Sequence, residues 1–158
     1  MDIKDFERLT KLYIDSVYRV ALNGCKNPHD ADDVTQTTFL KLWQSKPKFE
    51  DDCHAKRWLI RVAVNECNSL WRSPWRKNTL PLEDLPKEPT FSTPDKSELY
   101  YAVKELPQKY RQVVHLYYYE GYSVKETAEI LRISESAVQT RLLRARQYLK
   151  DRLKEAWQ

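Results

Sequence analysis

The sequence predicts an all-α protein, with two small helical domains joined by a stiff, proline-rich linker. Three observations carry this expectation. Apolar residues recur at helical spacing, and no stretch of any length alternates as a strand does. Only two glycines occur, Gly24 and Gly121, while Leu, Lys, Glu, Arg and Gln are common, a composition that favours helices. Four of the eight prolines, Pro81, Pro86, Pro89 and Pro94, fall within "LPLEDLPKEPTFSTPD". Proline removes a donor and forces its predecessor out of the helical region, so residues 78–95 read as an extended, fairly rigid tether. The tether separates a domain at 1–77 from one at 96–158. Each is near the lower size for independent folding.

The first domain reads as three or four helices. Phe6, Leu9, Tyr13, Val17, Val20 and Ala21 make one helical stripe, which Asn23 and Gly24 are expected to end. In "NPHDADDVTQTTFLKLWQSKP", Asp30 is the expected N-cap, acids crowd the first turn, and Pro47 closes the helix. "AKRWLIRVAVNECNSLWR" is the next helix, with Trp58, Leu59, Val62, Ala63 and Leu70 on its expected buried side.

In the second domain, Ser97 is the expected first cap, and Leu99, Val103 and Leu106 form a short apolar face. Pro107 suits the first turn of a helix that runs through "QKYRQVVHLYYYEG" and stops at Gly121. Ser123 and Glu126 have the spacing of a capping box, and Val124, Ala128 and Leu131 point inward. A short turn leads to Ser134, a second N-cap. Two capped helices joined by such a turn form a helix-turn-helix pattern. One turn residue must be left-handed; with no glycine after Gly121, that residue is Arg132, at a cost of ~1 kcal/mol.

On the last helix, at about 100° per residue, Val138, Leu142, Ala145, Leu149 and Leu153 share one narrow stripe. Ser136, Thr140, Leu143, Arg144 and Gln147 lie opposite, with Arg141 and Arg146 flanking the apolar stripe. A hydroxyl, an amide, a guanidinium and a leucine on one face suit a major groove, where arginine bonds guanine edges and leucine meets thymine methyls. The helix start offers backbone N–H groups to phosphate.

Charge agrees with a polyanionic partner. The net charge of +4 is uneven: residues 54–78 carry six cations and one acid, residues 82–98 two cations and five acids, and residues 132–154 seven cations and two acids. Two basic segments divided by an acidic one point to two contacts. Read singly, each segment has an ordinary solvated helix face as its lesser rival reading.

Other classes find little support. There is no Gly-rich phosphate loop, nucleophile elbow or HExxH, and the only suggestive pairs are His29-Asp30 and Cys53-His54. No enzyme activity, cofactor or metal is therefore expected. Cys25, His29, Cys53, His54 and Cys67 lack the regular spacing of a zinc site. Three cysteines form no CxxC pair and fit free thiols in a reducing compartment. No apolar run reaches the ~18–20 residues that span a bilayer, and "MDIKDFERL" is no signal peptide, so a cytoplasmic protein without membrane insertion is expected.

Four motifs then agree in order over nearly the whole chain: "DADDVTQTTFLKLW", "WLIRVAVNECNSLWR", "LPQKYRQVVHLYYYEGYSVKETAEIL" and "VQTRLLRARQYL". Together they resemble the extracytoplasmic-function (ECF) group of sigma-70 family sigma factors, bacterial transcription initiation factors with helical regions 2 and 4. The resemblance implies docking on core RNA polymerase, through the β′ clamp coiled coil and the β subunit, and recognition of promoter DNA. It also implies a nucleoid-associated location and, in many members, an anti-sigma factor that covers both domains.

Residue roles follow from the same resemblance. Asp33, Gln36, Thr37, Leu40 and Trp43 stand at polymerase-contact positions, with Thr37 where the family usually has Glu. Trp43 is open to either an interface or a core role. Phe49, Arg61, Asn65, Asn68, Ser69, Arg72 and Arg76 match the segment that reads and melts the −10 element. Asn amides suit base edges, and arginines suit phosphates. Phe49 is a candidate pocket wall, in a loop whose "EDD" run suits bases rather than phosphates. Trp71 and Trp75, interleaved with Arg72, Arg76 and Lys77, suit single strands or a core equally. Ser136, Gln139, Thr140, Arg141, Leu143 and Arg144 fall on the helix that contacts the −35 element. The family usually has Lys or Arg in place of Gln139 and Ser in place of Thr140. The rival reading is a stand-alone helix-turn-helix activator or repressor with an N-terminal sensing or dimerising domain, which would bind operator duplex by itself.

Overall fold

The structure is a computed structural model; it describes the backbone of residues 1–72 and 94–156 and the side chains of 1–72 and 98–154. Among the described residues all regular structure is helical. The chain divides into two compact units. The expected linker lies outside the described residues except for its last two positions, which belong to a helix.

The first unit is three helices: α1 (Ile3–Cys25), α2 (Pro28–Ser45) and α3 (Asp52–Arg72). Asp2 caps α1, its carboxylate accepting from the Asp5 N–H at 2.8 Å. The helix does not stop at Asn23-Gly24 as expected; it runs on to Cys25 and ends at left-handed Lys26. Gly24 serves packing instead. A Cβ there would come within 2.8 Å of Cys67 Sγ on α3, so only glycine allows the two helices this approach.

The cap of α2 is Asn27, not Asp30. Asn27 Oδ1 accepts from the Asp30 N–H, and Asn27 Nδ2 donates to the Asp30 carboxylate, both at 2.9 Å. Pro28 fills the first helical position, where a missing N–H costs nothing. Asp30 thus stands one turn inside, still favourable to the helix dipole. Left-handed Lys46 and then Pro47 end the helix.

Asp51 starts α3, its carboxylate accepting from the His54 N–H at 2.7 Å. Asp52 takes a hydrogen bond from Arg8 Nη1 at 2.6 Å, tying α3 to α1, and Lys41 pairs with Glu66 between α2 and α3. The core joins Leu9, Val17, Val20 and Ala21 to Val34, Phe39 and Leu42, and to Leu59, Ile60, Ala63 and Val64. Thr35 and Thr38 are buried too, with each hydroxyl returned to the carbonyl four residues back at 2.7 Å.

The expected stripe of α3 is out of phase. Leu59 and Ala63 are buried, but Trp58, Val62 and Leu70 are half-buried, while Ile60, Val64 and Cys67 are buried. The helix packs against both α1 and α2, so its buried arc is wider and rotated from a single stripe.

The second unit holds α4 (Pro94–Glu105), α5 (Gln108–Val114), a π-helical turn at His115–Tyr119, α6 (Val124–Leu131) and α7 (Glu135–Ala156). Ser97 falls inside α4 rather than at its start, because Pro94 opens the helix. Leu99 is exposed, and Ala102 takes the buried position beside Leu106. Buried Arg111 donates from Nη1 to the Leu106 carbonyl at 2.8 Å, satisfying an acceptor at the end of α4. The helix expected to run unbroken to Gly121 widens by one residue per turn after Val114. The Glu120 N–H reaches back five residues to the His115 carbonyl at 3.0 Å. Gly121, at φ 76°, then reverses the chain.

Both caps expected in the helix-turn-helix hold. Ser123 and Glu126 exchange side-chain and backbone bonds at 3.1 Å, and Ser134 Oγ accepts from the Ala137 N–H at 3.0 Å. Arg132 is left-handed at φ 57°, as the lack of a glycine required. Val138 and Leu142 pack with Val113 and Ala128 beneath this turn, and Ala145 packs with Leu106 and Val114 farther along.

Candidate nucleic-acid interface

Burying Val138, Leu142 and Ala145 fixes the rotation of α7, and the opposite face follows. Ser136, Gln139, Thr140, Leu143, Arg144 and Gln147 are all exposed, and Leu143 is 54% accessible. An aliphatic side chain this open, flanked by an amide, hydroxyls and a guanidinium, gives the mixed chemistry a base edge needs. Arg141 is half-buried and sits on the flank of this face, not its crest. Arg146 is committed within the unit, its Nε donating to the Tyr118 hydroxyl at 2.7 Å. The π turn places Tyr118 there. Nothing in "HLYYYEG" signals that turn, so sequence reasoning missed the contact.

On α3 a second polar ridge emerges. Arg61, Asn65, Asn68, Ser69 and Arg72 fall within an arc of about 100° at the helical repeat. Asn65, Ser69 and Arg72 are exposed, and Arg61 and Asn68 are half-buried. Arg61 Nη2 is buried and has no hydrogen-bond partner among the described residues. Arg76, with Trp75 and Lys77, lies outside the described residues.

The loop before α3 is more occupied than expected. Phe49 is half-buried, edge-on to His54 at 5.3 Å and to Trp58 at 5.8 Å. Of the acids in "EDD", Asp51 caps α3 and Asp52 holds Arg8. Trp71 donates from its indole nitrogen to the Gly24 carbonyl at 2.5 Å, so it braces the α1–α3 seam.

A third surface lies on α2. Asp33, Gln36 and Leu40 are exposed, with Leu40 54% accessible, and half-buried Thr37 and Trp43 share their arc. Trp43 has both characters left open by the sequence. It packs edge-on to Phe6 at 5.2 Å, yet Lys46 Nζ stands 4.7 Å over its outer face. Among the described residues no three His, Cys, Asp or Glu side chains cluster as metal ligands, and no helix is long and apolar enough to cross a membrane.

A two-part helical chain with a helix-turn-helix in its second part and a polar helical ridge in its first has the layout of a sigma factor. Family models agree: residues 9–77 match Sigma-70 region 2, and residues 96–149 match Sigma-70 region 4. The chain is 30% identical over 151 residues to the ECF RNA polymerase sigma factor SigM of Bacillus subtilis, covering 91% of this chain and 92% of that one. It is 32% identical over 157 residues to the RNA polymerase sigma-E factor of Streptomyces coelicolor, covering 96% and 88%. Among solved structures, CnrH in complex with the cytosolic domain of CnrY is similar at a TM-score of 0.69 and 26% identity, covering 98% of this chain and 90% of that one. The sigma factor RpoE, in complex with the anti-sigma factor NepR from Bartonella quintana, shares the fold at a TM-score of 0.78 and 24% identity, covering 96% and 98%.

This chain belongs to the ECF sigma factors of the sigma-70 family, and its role lies in transcription initiation. The match of residues 9–77 to region 2 sets aside a stand-alone regulator with a sensing domain.

Proposed function

We propose that the chain docks on core RNA polymerase through α2 and directs it to promoters with two separate elements. The exposed face of α7 reads the −35 duplex, and the ridge of α3 engages and helps to open the −10 element. In this reading Asp33, Gln36, Thr37, Leu40 and Trp43 meet the polymerase. Ser136, Gln139, Thr140, Leu143 and Arg144 face the groove, with Arg141 at its phosphate wall. The carrying observation is that α7 buries one narrow stripe, leaving its whole polar face unobstructed.

On α3, the positive charge of Arg61 and of exposed Arg72, both on the polar ridge, supports a phosphate role. Asn65, Asn68 and Ser69 supply the amides and hydroxyl that base edges need. Phe49, held by edge-to-face contacts with His54 and Trp58, supports a rigid pocket wall for a flipped base. A residue-level boundary at 77 between the −10 segment and the linker belongs to this proposal, as does a contact from Arg76. The solved RpoE is held by an anti-sigma factor. We extend this to the present chain: a partner protein covering α2 or α7 would silence it.

The test is run-off transcription with purified core polymerase on genomic fragments, combined with permanganate probing of unpaired thymines. Specific transcripts and a melted patch upstream of each start are expected. The Asp33→Ala, Gln36→Ala double variant should lose polymerase binding while its circular dichroism stays unchanged. Normal holoenzyme assembly by that variant would remove α2 as the docking face.

A further inference from the structure

Two buried thiols are used by neither the DNA faces nor the docking face. Cys25, the last residue of α1, and Cys67 of α3 place their Sγ atoms 3.4 Å apart across the seam between these helices. Both are reduced, with no disulfide between them; Cys25 is 6% exposed and Cys67 1%. Cys67 Sγ also lies 3.7 Å from the Ala21 carbonyl and beneath Gly24, whose missing Cβ makes room for it. The third thiol, Cys53, is exposed.

We propose that Cys25 and Cys67 are an oxidisable pair that closes to a disulfide under hydrogen peroxide, pinning the end of α1 to α3. A disulfide needs an Sγ separation of about 2.05 Å, so the helices need only a small inward shift and side-chain rotation, with no unfolding. Cys25 reacts first, being the more exposed and lying at a helix end. Its sulfur takes one peroxide oxygen to give a sulfenic acid, and the other oxygen leaves as water with the thiol proton. Cys67 sulfur then attacks the Cys25 sulfur, and the sulfenic oxygen leaves as a second water. Two thiols and one peroxide become one disulfide and two waters: the sulfur pair loses two electrons, and the peroxide gains them. Peroxide is little larger than water, so brief fraying of the α1 end admits it, whereas a bulky alkylating reagent is excluded. A dithiol reductant reverses the bond by exchange.

The pinned position adjoins the polar ridge. Asn68 is the next residue, Asn65 and Ser69 lie two away, and Trp71 already hydrogen-bonds to Gly24. Closing the bond shifts that ridge toward α1. This consequence rests on the reading of α3 as the −10 helix; the bond itself does not.

The full chain carrying Cys53→Ser is treated with hydrogen peroxide under native conditions, unfolded, alkylated and mapped by mass spectrometry. A linked peptide pair containing positions 25 and 67 and loss of both alkylation sites are expected, with return on dithiothreitol. Cys25→Ser and Cys67→Ser should each abolish the link. The linked chain should melt roughly 10 °C higher, from closure of the long loop between the two residues. Thiols that stay alkylatable, or sulfinic acids without a link, would overturn the pair, and so would a lower melting temperature. Neither readout involves DNA. Separately, open-complex formation by the linked chain with core polymerase should fall several-fold. An unchanged rate in a chain shown to be linked would overturn the coupling to α3.

Discussion

Helices α3 and α7 both present polar ridges, yet they are held in opposite ways. The buried residues of α3, Ala55, Leu59, Ile60, Ala63, Val64 and Cys67, wrap a broad arc, because α1 and α2 both pack on it. The strongly buried residues of α7 are Val138, Leu142 and Ala145, one narrow line along which α6, α5 and α4 pack in succession on the same side, and everything opposite is open. A helix clasped from two sides positions a few side chains rigidly, which suits the proposed trapping of unpaired bases by α3. A helix seated on one stripe offers a wide face, which suits the proposed entry of α7 into a groove.

The largest effect should come from loosening the clasp. Leu59→Ala removes a fully buried side chain between α1 and α2 and should cost ~2–5 kcal/mol of stability. Urea unfolding followed by Trp fluorescence measures it; a loss under 1 kcal/mol would mean that α3 is less tightly held than its burial implies. Gly24→Ala comes next. The new methyl meets Cys67 Sγ, and the strain should outweigh the gain in helix propensity, leaving a net loss of ~1–2 kcal/mol. Adding Cys67→Ala should return part of that loss, which a double-mutant cycle resolves.

Arg144→Ala probes the other side of the comparison. It should leave the melting temperature of the chain within about a degree, because the side chain is exposed. Affinity of the holoenzyme for a matching −35 element should still drop by ~1–3 kcal/mol. Equal loss at promoters with a scrambled −35 element would reduce Arg144 to a phosphate contact. The smallest effect belongs to the turn that aims α7: Arg132→Gly should relieve left-handed strain and add about 0.5 kcal/mol of stability, net of the extra freedom of the unfolded chain. A loss of stability would show that Arg132 earns its place through contacts of its side chain.

The same contrast explains what the sequence made legible. In the second unit two side-chain caps and one apolar stripe set the phase of α7, so its exposed face and the left-handed Arg132 could be read directly. Local signals suffice where a helix has one buried side. The phase of α3 could not be read, because which of Trp58, Ile60, Val62 and Val64 turns inward depends on two partner helices at once. Gly24 misled for a related reason: a helix stop and a close helix crossing use the same residue. Asn27 and Asp30 are both good cap acceptors, and only the position of Pro28 inside the helix decides for Asn27. The π turn at His115–Tyr119, and with it the Tyr118–Arg146 contact, depends on a bond five residues back for which no sequence signal exists. The family resemblance supplied the roles; the geometry supplied the exposure of the side chains assigned to them.

In the proposed mode of action these faces work only when mounted together on polymerase. The direct measurement is equilibrium binding of one labelled promoter duplex, at fixed salt, to the free chain and to the chain with core polymerase. Weak, salt-sensitive binding by the free chain is expected, and tight, promoter-selective binding with strand opening by the assembly. Tight selective binding of a palindromic duplex by the free chain, unaltered by polymerase, would contradict that mode of action.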